Sequence, residues 1–188
     1  MKIGITGGIG SGKTYVCQRL QARGFEVFDC DNAAKKLMRT SASIRQKLTE
    51  LIGPGTYDDD GRLNKAQVSR FLLSSSQNAK AIDAIVHPAV FDAFRESGLD
   101  FMESAILFES GAYKLVDQVI AVVAPKQVRI QRVMARDHIS SSQVEEWMNR
   151  QLPQKEIIRK ADYIVINDGE IDIDKQLSKI IQLCNKQF

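Results

Sequence analysis

The chain has 188 residues, 44% apolar and 26% charged, with a formal net charge of +3. That suits one compact domain with a small insertion and a real apolar core. The mild charge demands no nucleic-acid partner, and no apolar run is long enough to cross a bilayer, so nucleic-acid and membrane functions are set aside.

The opening, MKIGITGG, enters a strand-like pattern at once with no signal-like stretch, so a cytoplasmic protein is expected. Cys17, Cys30 and Cys184 are far apart and outside any C-x-x-C pairing, which favours reduced thiols over disulfides or zinc. Residues 2–6 form a short apolar run that stops at glycines, a buried strand. Over 13–23, Val16, Cys17 and Leu20 recur at helical spacing, and Gly24 follows where a left-handed helix end is favoured. Residues 25–28 read as a second strand, ending at Asp29-Cys30-Asp31.

From 33 to 87 the pattern turns helical. Ile44, Leu48, Leu51 and Ile52 share one face, and Gly53-Pro54-Gly55 ends that helix. Asn64 is placed to cap a helix carrying Val68, Phe71 and Leu72, and Ile82, Ile85 and Val86 mark another. Pro88 suggests a further helix start. Strand signals return over 101–108, 118–123 and 163–166, with helices carrying Val128, Val133 and Met134, and Leu177, Ile180, Ile181 and Cys184. The order predicts an α/β fold: a five-stranded, mostly parallel sheet with flanking helices. Residues 1–32, 88–136 and 156–188 make its core, 33–87 a helical insertion and 137–155 a second, polar helical segment.

Gly7-Gly8-Ile9-Gly10-Ser11-Gly12-Lys13-Thr14 fits G-x-x-x-x-G-K-[ST] between a strand and a helix, as a phosphate loop requires. The glycines let successive N–H groups wrap a phosphate, and the helix adds its positive end. Lys13 is placed for the β/γ oxygens, and the Thr14 hydroxyl for Mg²⁺. The bland alternative is a glycine-rich connection. The motif serves switches and motors as well as kinases. A guanine-reading N-K-x-D is missing, since Asn64-Lys65 and Asn185-Lys186 both lack the aspartate, and so is an ABC-type signature. A small-molecule kinase is therefore expected. A nucleoside monophosphate kinase is the nearest competitor, and a nucleotide-dependent switch the competitor from another class.

These residues resemble the dephospho-coenzyme A kinase family over nearly the whole chain. ITGGIGSGKT is similar to that family's form of the loop, and Asp29-Cys30-Asp31 to its D-A-D. Asp60-Gly61-Arg62-Leu63-Asn64, Val86-His87-Pro88 and Ile106-Leu107-Phe108-Glu109 match further family steps in order. Arg132-x-x-x-Arg136-Asp137, Gln151-x-Pro153, Ala161-Asp162 and Asn167-x-Gly169 follow at family spacing. The resemblance implies ATP as co-substrate with Mg²⁺, transfer to the ribose 3′-hydroxyl of dephospho-coenzyme A, a coenzyme-A-binding insertion at 33–87, and a lid at 137–155. A monomer or weak homo-oligomer is expected. Four departures stand out: Ala105 for a proline, Arg129 for a glutamine, Trp147 for an arginine and Ile157 for a lysine. They leave open which lid cations meet ATP, with Arg150 and Lys155 as substitutes.

The expected nucleotide contacts are Gly8, Ile9, Gly10, Ser11, Gly12, Lys13, Thr14, Arg132 and Asn167, with Thr14 on the metal. Lys13, Asp31 and Arg136 are the catalytic candidates, and Asp31, His87, Leu107, Phe108 and Glu109 the acceptor contacts. Asp31 can orient the attacking hydroxyl and take its proton late, or cap the helix after it. Asp29 has the same parity along the strand and is the alternative support for Mg²⁺-bound water. Arg132 and Arg136 share a helix face, for adenine and phosphates or as a solvated basic end. Trp147 reads as lid packing, and Asp58-Asp59-Asp60-Gly61 as a polar turn, not a calcium loop.

Overall fold

The computed structural model describes residues 1–185. The end of the expected core segment, with Lys186 of the second Asn-Lys pair, lies outside the described residues. The chain forms two compact units, one of residues 1–28 with 99 onward and one of residues 29–98.

The strands are β1 (Ile3–Thr6), β2 (Val27–Asp29), β3 (Phe101–Glu103), β4 (Gln118–Val123) and β5 (Tyr163–Ile166). They make one parallel sheet in the order β2-β3-β1-β4-β5. β1 is central, with Ile3 paired to Phe101 on one side and Gln118 on the other, and Val123 of β4 aligns with Ile166. Around the sheet lie α1 (Lys13–Gln21), α6 (Lys126–Asp137), α7 (Ser141–Asn149), α8 (Gln154–Lys160) and α9 (Ile173–Asn185). The 29–98 unit holds α2 (Cys30–Thr40), α3 (Ala42–Ile52), α4 (Lys65–Ser74) and α5 (Ser76–Ser97).

Alternation along β4 shows why the sheet needs cover on both faces. Ile120 and Val122 point to one side, where Val16, Cys17 and Leu20 of α1 and Leu177, Ile180 and Cys184 of α9 close the core. Ala121 and Val123 point to the other, against Ile157 of α8. Burying Leu20 completely stabilises the fold by about 1.5–3 kcal/mol. Arg19 and Arg23 both bond Asp174, tying α1 to α9. These groups are partly exposed, so the clasp adds little beside the apolar contact.

In the other unit α2, α3 and α4 all pack on α5, whose Ile82, Val86, Val90 and Phe94 recur every fourth residue and are buried. Asn64 caps α4 through a bond from the Gln67 N–H, as the sequence suggests. This unit runs past both ends of the 33–87 segment.

Three local expectations are corrected. Pro88 does not start a helix; it lies inside α5. Proline costs about 3 kcal/mol in a helix interior. The buried stripe continues through it from Val86 to Val90 and Phe94, and packing outweighs propensity. The strand expected over 101–108 is only three residues long, and residues 105–109 form a turn closed by Ser110 N–H to Ile106 C=O. Its apolar character reflects burial: Leu107 is fully enclosed and packs against Gly4. A buried turn and a buried strand look alike in composition. Finally, α2 begins at Cys30, so Asp31 lies in a helical turn and shares no strand parity with Asp29.

Candidate active site

β1 ends at Thr6, residues 7–12 turn, and α1 starts at Lys13, so the phosphate loop lies at the carboxyl end of the central strand. The first turn of α1 holds no acidic residue, leaving its positive end uncompensated. Gly12 sits at φ 89°, and a Cβ there would stand 2.0 Å from Asn167 Nδ2, so conformation and space both require glycine. Asn167, just past β5, is buried; its N–H donates to Val123 C=O (2.8 Å) and its Nδ2 to Ser11 C=O (2.9 Å). It thereby fixes the last turn of the loop to the sheet.

Lys13 Nζ donates to Gly7 C=O at 2.9 Å, folding the ammonium back across the loop. Ser11 Oγ is buried and, among the described residues, makes no hydrogen bond. An unpaired buried hydroxyl costs about 1–3 kcal/mol, so a phosphate-loop donor in this state suits an anionic ligand. Thr14 is exposed in the first turn of α1.

Arg132 of α6 donates to Asn167 twice, Nη1 to the backbone C=O (2.9 Å) and Nη2 to Oδ1 (3.4 Å). Together they border an open cavity of about 560 Å³, also lined by Gly12, Tyr15, Ile171 and Asp174. The loop beyond β5 is shaped by Asp168, whose Oδ1 accepts the N–H groups of Glu170 (2.9 Å) and Ile171 (3.0 Å). Those bonds hold the Asp168 carboxyl below the usual carboxylate range. Arg136, one turn on from Arg132, does not join it. It pairs with Asp137 through Nε (2.8 Å) and Nη2 (2.7 Å), which raises the guanidinium and lowers the carboxyl.

Past α6, His138 takes a left-handed conformation that turns the chain into α7, capped by a reciprocal Ser140–Gln143 box. Val144 packs on Ile130 and Val133, with Ile9 of the phosphate loop at the edge of the cluster. Trp147 is partly exposed, Arg150 pairs with Glu146, and Ile157 belongs to the core under β4. Leu107 is enclosed and Phe108 lies beside the Ala121–Val123–Ile157 cluster. Glu109 is exposed and accepts the Leu152 N–H at 2.9 Å. Arg129 and Gln151 also reach the loop, and Gln154 bonds Arg129; the sequence assigned none of them a role. The Gln151-x-Pro153 match and the departure from the family at Arg129 were the signals available.

In the helical unit, both Asp29 oxygens are used locally, Oδ1 by Asn32 N–H (2.9 Å) and Oδ2 by Asn32 Nδ2 (2.7 Å), so Asp29 is the cap of α2. Asp31 is exposed, and its carboxylate makes no hydrogen bond or ion pair among the described residues. His87 is half-buried in α5, stacked on Phe91 and 3.5 Å from Asp83. A cavity of about 520 Å³ opens between α2 and the turn before α4, lined by Lys35, Arg39, Arg62 and Lys65 with Met38 and Leu63. Four cations around one apolar floor suit an anionic ligand with an apolar portion.

A parallel sheet in this order, with a glycine cradle and its lysine after the central strand, defines a P-loop kinase fold. A Campylobacter jejuni dephospho-CoA kinase structure shares that fold, with a TM-score of 0.69 at 22% identity, covering 100% of this chain and 99% of the other. A crystal structure of a Thermus thermophilus protein is closer, with a TM-score of 0.85 at 31% identity over 97% and 96% of the two chains. A Salinibacter ruber protein named dephospho-CoA kinase is 40% identical over 179 residues, 90% of each chain. The dephospho-CoA kinase family matches residues 1–172, and the chain belongs to that family. It is a phosphotransferase that draws its phosphate from ATP.

Proposed function

We infer that the chain transfers the γ-phosphate of ATP to the ribose 3′-hydroxyl of dephospho-coenzyme A, the final step of coenzyme A biosynthesis. The observation that carries the reading is the P-loop itself, with a glycine that no other residue can replace at Gly12 and an orphan hydroxyl at Ser11. The loop N–H groups and Lys13 bind the phosphates, and the cavity bounded by Arg132 and Asn167 takes the adenosine. Mg²⁺ fits here as a partner of Thr14 and the ATP phosphates. Among the described residues no three His, Cys, Asp or Glu side chains could hold a metal alone, so one protein oxygen plus substrate oxygens is the consistent donor set. When bound, the ion neutralises charge on the transferring phosphate.

Asp31 is the acceptor-side carboxylate. Its freedom from local bonds, against the full occupation of both Asp29 oxygens, favours it for the attacking hydroxyl and leaves Asp29 as a cap. Positioning matters more than basicity, because the transition state is loose and the proton leaves late. The 33–87 segment binds the acceptor, supported by the four-cation cavity, whose charge suits a diphosphate and whose apolar floor suits the rest of a coenzyme A precursor. Residues 137–155 act as the lid: α7 buries only Val144, with Met148 beside it, a small contact for a helix that moves, while Gln151 after it ties the segment to the phosphate loop through the Ile9 N–H. Arg150 and Lys155 are its candidate phosphate-facing cations, with the catalytic candidate Arg136 just before it, and Arg136 and Arg150 are held at rest by Asp137 and Glu146.

An acceptor screen with ATP–Mg²⁺, followed by ³¹P NMR of the product, tests the reading. Dephospho-coenzyme A should be preferred and gain phosphate at the 3′ oxygen. Preference for AMP or shikimate by kcat/KM would overturn it.

A further inference from the structure

Both backbone groups of Ile9, at the crown of the phosphate loop, are taken by side chains from elsewhere in the same unit. Its N–H donates to Gln151 Oε1 at 2.7 Å, and its C=O accepts from Arg129 Nε at 2.8 Å. Arg129 Nη1 also donates to Gln154 Oε1 at 3.2 Å. The loop lies directly on this arginine. A Cβ on Gly8 would stand 2.4 Å from Arg129 Nη2, and one on Gly10 would stand 2.5 Å from the Arg129 carbonyl.

Arg129 is 7% exposed, and among the described residues no carboxylate bonds or pairs with it. Burial lowers its pKa and no acid restores it. A guanidinium stays protonated in proteins regardless, so a full charge is kept inside on neutral acceptors alone. Holding a charge this way is costly to the free protein unless an anion arrives. Arg19, Arg23, Arg136, Arg150 and Arg159 all have carboxylate partners; this buried one beneath the phosphate loop does not.

We propose that Arg129 is a positioning residue for the nucleotide: it holds a buried charge against the back of the loop crown at Ile9, and the partner of that charge is the nucleotide polyphosphate. It touches the loop from behind and takes no part in the chemical step. A structural brace and a charge waiting for an anion predict opposite behaviour when the charge is removed. Loss of a brace weakens the free protein and leaves nucleotide affinity alone. Loss of the charge spares the free protein and weakens the nucleotide.

The proposal rests on the loop being the ATP site, so ADP binding by the parent protein is the control. The probes are ADP, which does not turn over, with calorimetry and thermal unfolding, then steady-state rates. Arg129→Gln should weaken ADP binding about tenfold, equal to about 1.4 kcal/mol, and shrink the ADP-induced rise in Tm. KM for ATP should rise in step while kcat and KM for dephospho-coenzyme A stay within about threefold. Arg129→Lys, which keeps the charge but loses the fork, should recover part of the affinity. ADP affinity of Arg129→Gln within about twofold of the parent overturns the proposal, whatever happens to free-state stability. Equal ADP affinity in the Lys and Gln variants overturns the charge. A parent that binds no ADP overturns the reading of the loop instead.

Discussion

On the proposed function, the nucleotide-binding unit and the helical unit solve recognition in opposite ways. In the first, contacts are made by backbone and by side chains locked inside: Asn167 is buried with every polar group assigned, and Arg129 is enclosed under the loop. In the second, α4 buries none of its residues, and Lys35, Arg39, Arg62 and Lys65 are exposed. A phosphate chain is small and fixed in shape, so a preorganised cradle gains most by costing nothing to arrange at the moment of reaction. A long, jointed acceptor is better met by mobile cations over an apolar floor, at the cost of ordering them on binding. Substitutions of the groups proposed to meet the transferring phosphate should therefore act steeply on catalysis, those behind the loop such as Arg129 on nucleotide affinity, and those in the second unit more gently and on the acceptor alone.

The largest effect is expected at Lys13. Lys13→Ala removes the charge proposed to meet the transferring phosphate and should lower kcat by about 10²- to 10³-fold. The residue is partly exposed, so thermal stability should change little. Activity within about threefold of the parent at saturating ATP would break the comparison at its stronger end.

Asp31 is an exception to the gentleness of its unit, because it is assigned to the reacting hydroxyl. Asp31→Asn should cost about 10²-fold in kcat with ATP binding intact. Asp29→Asn is the paired control, since asparagine caps a helix as well as aspartate does. It should change kcat little. If instead Asp29→Asn raises the Mg²⁺ needed for half-maximal rate and Asp31→Asn is rescued by excess Mg²⁺, the two roles must be exchanged.

The smallest effect concerns the acceptor cavity. Replacing Lys35 and Lys65 together by Gln removes two exposed cations, each contributing up to ~1 kcal/mol, and should raise KM for dephospho-coenzyme A about fivefold to tenfold. KM for ATP should not move. Equal rises for both substrates would show that the cavity does not discriminate between them, and the division of labour between the units would fail.

Sequence alone determined the features that repeat at fixed local spacing. The order of strands and helices follows from apolar periodicity, and the phosphate loop is legible because glycines, lysine and threonine must lie at set positions for backbone N–H groups to wrap an anion. The Asn64 cap and the left-handed turn at Gly24 (φ 87°), three residues past the end of α1 at Gln21, are local for the same reason. Tertiary structure decided whatever depends on partners distant in the chain. Pro88 passes through α5 because residues on other helices bury the stripe around it, and the apolar run after Glu103 becomes a turn because Leu107 fills space beside Gly4. Asp29 rather than Asp31 caps α2 because the strand stops at Asp29, two residues earlier than parity implied. Arg129 reads in the chain only as a helix cation where the resembled family commonly has a glutamine. Only folding places it beneath a loop 120 residues away, with its charge buried and no acid beside it. Spacing fixes which side chains share an element; burial and charge balance arise when elements meet, and those terms set what each side chain can do.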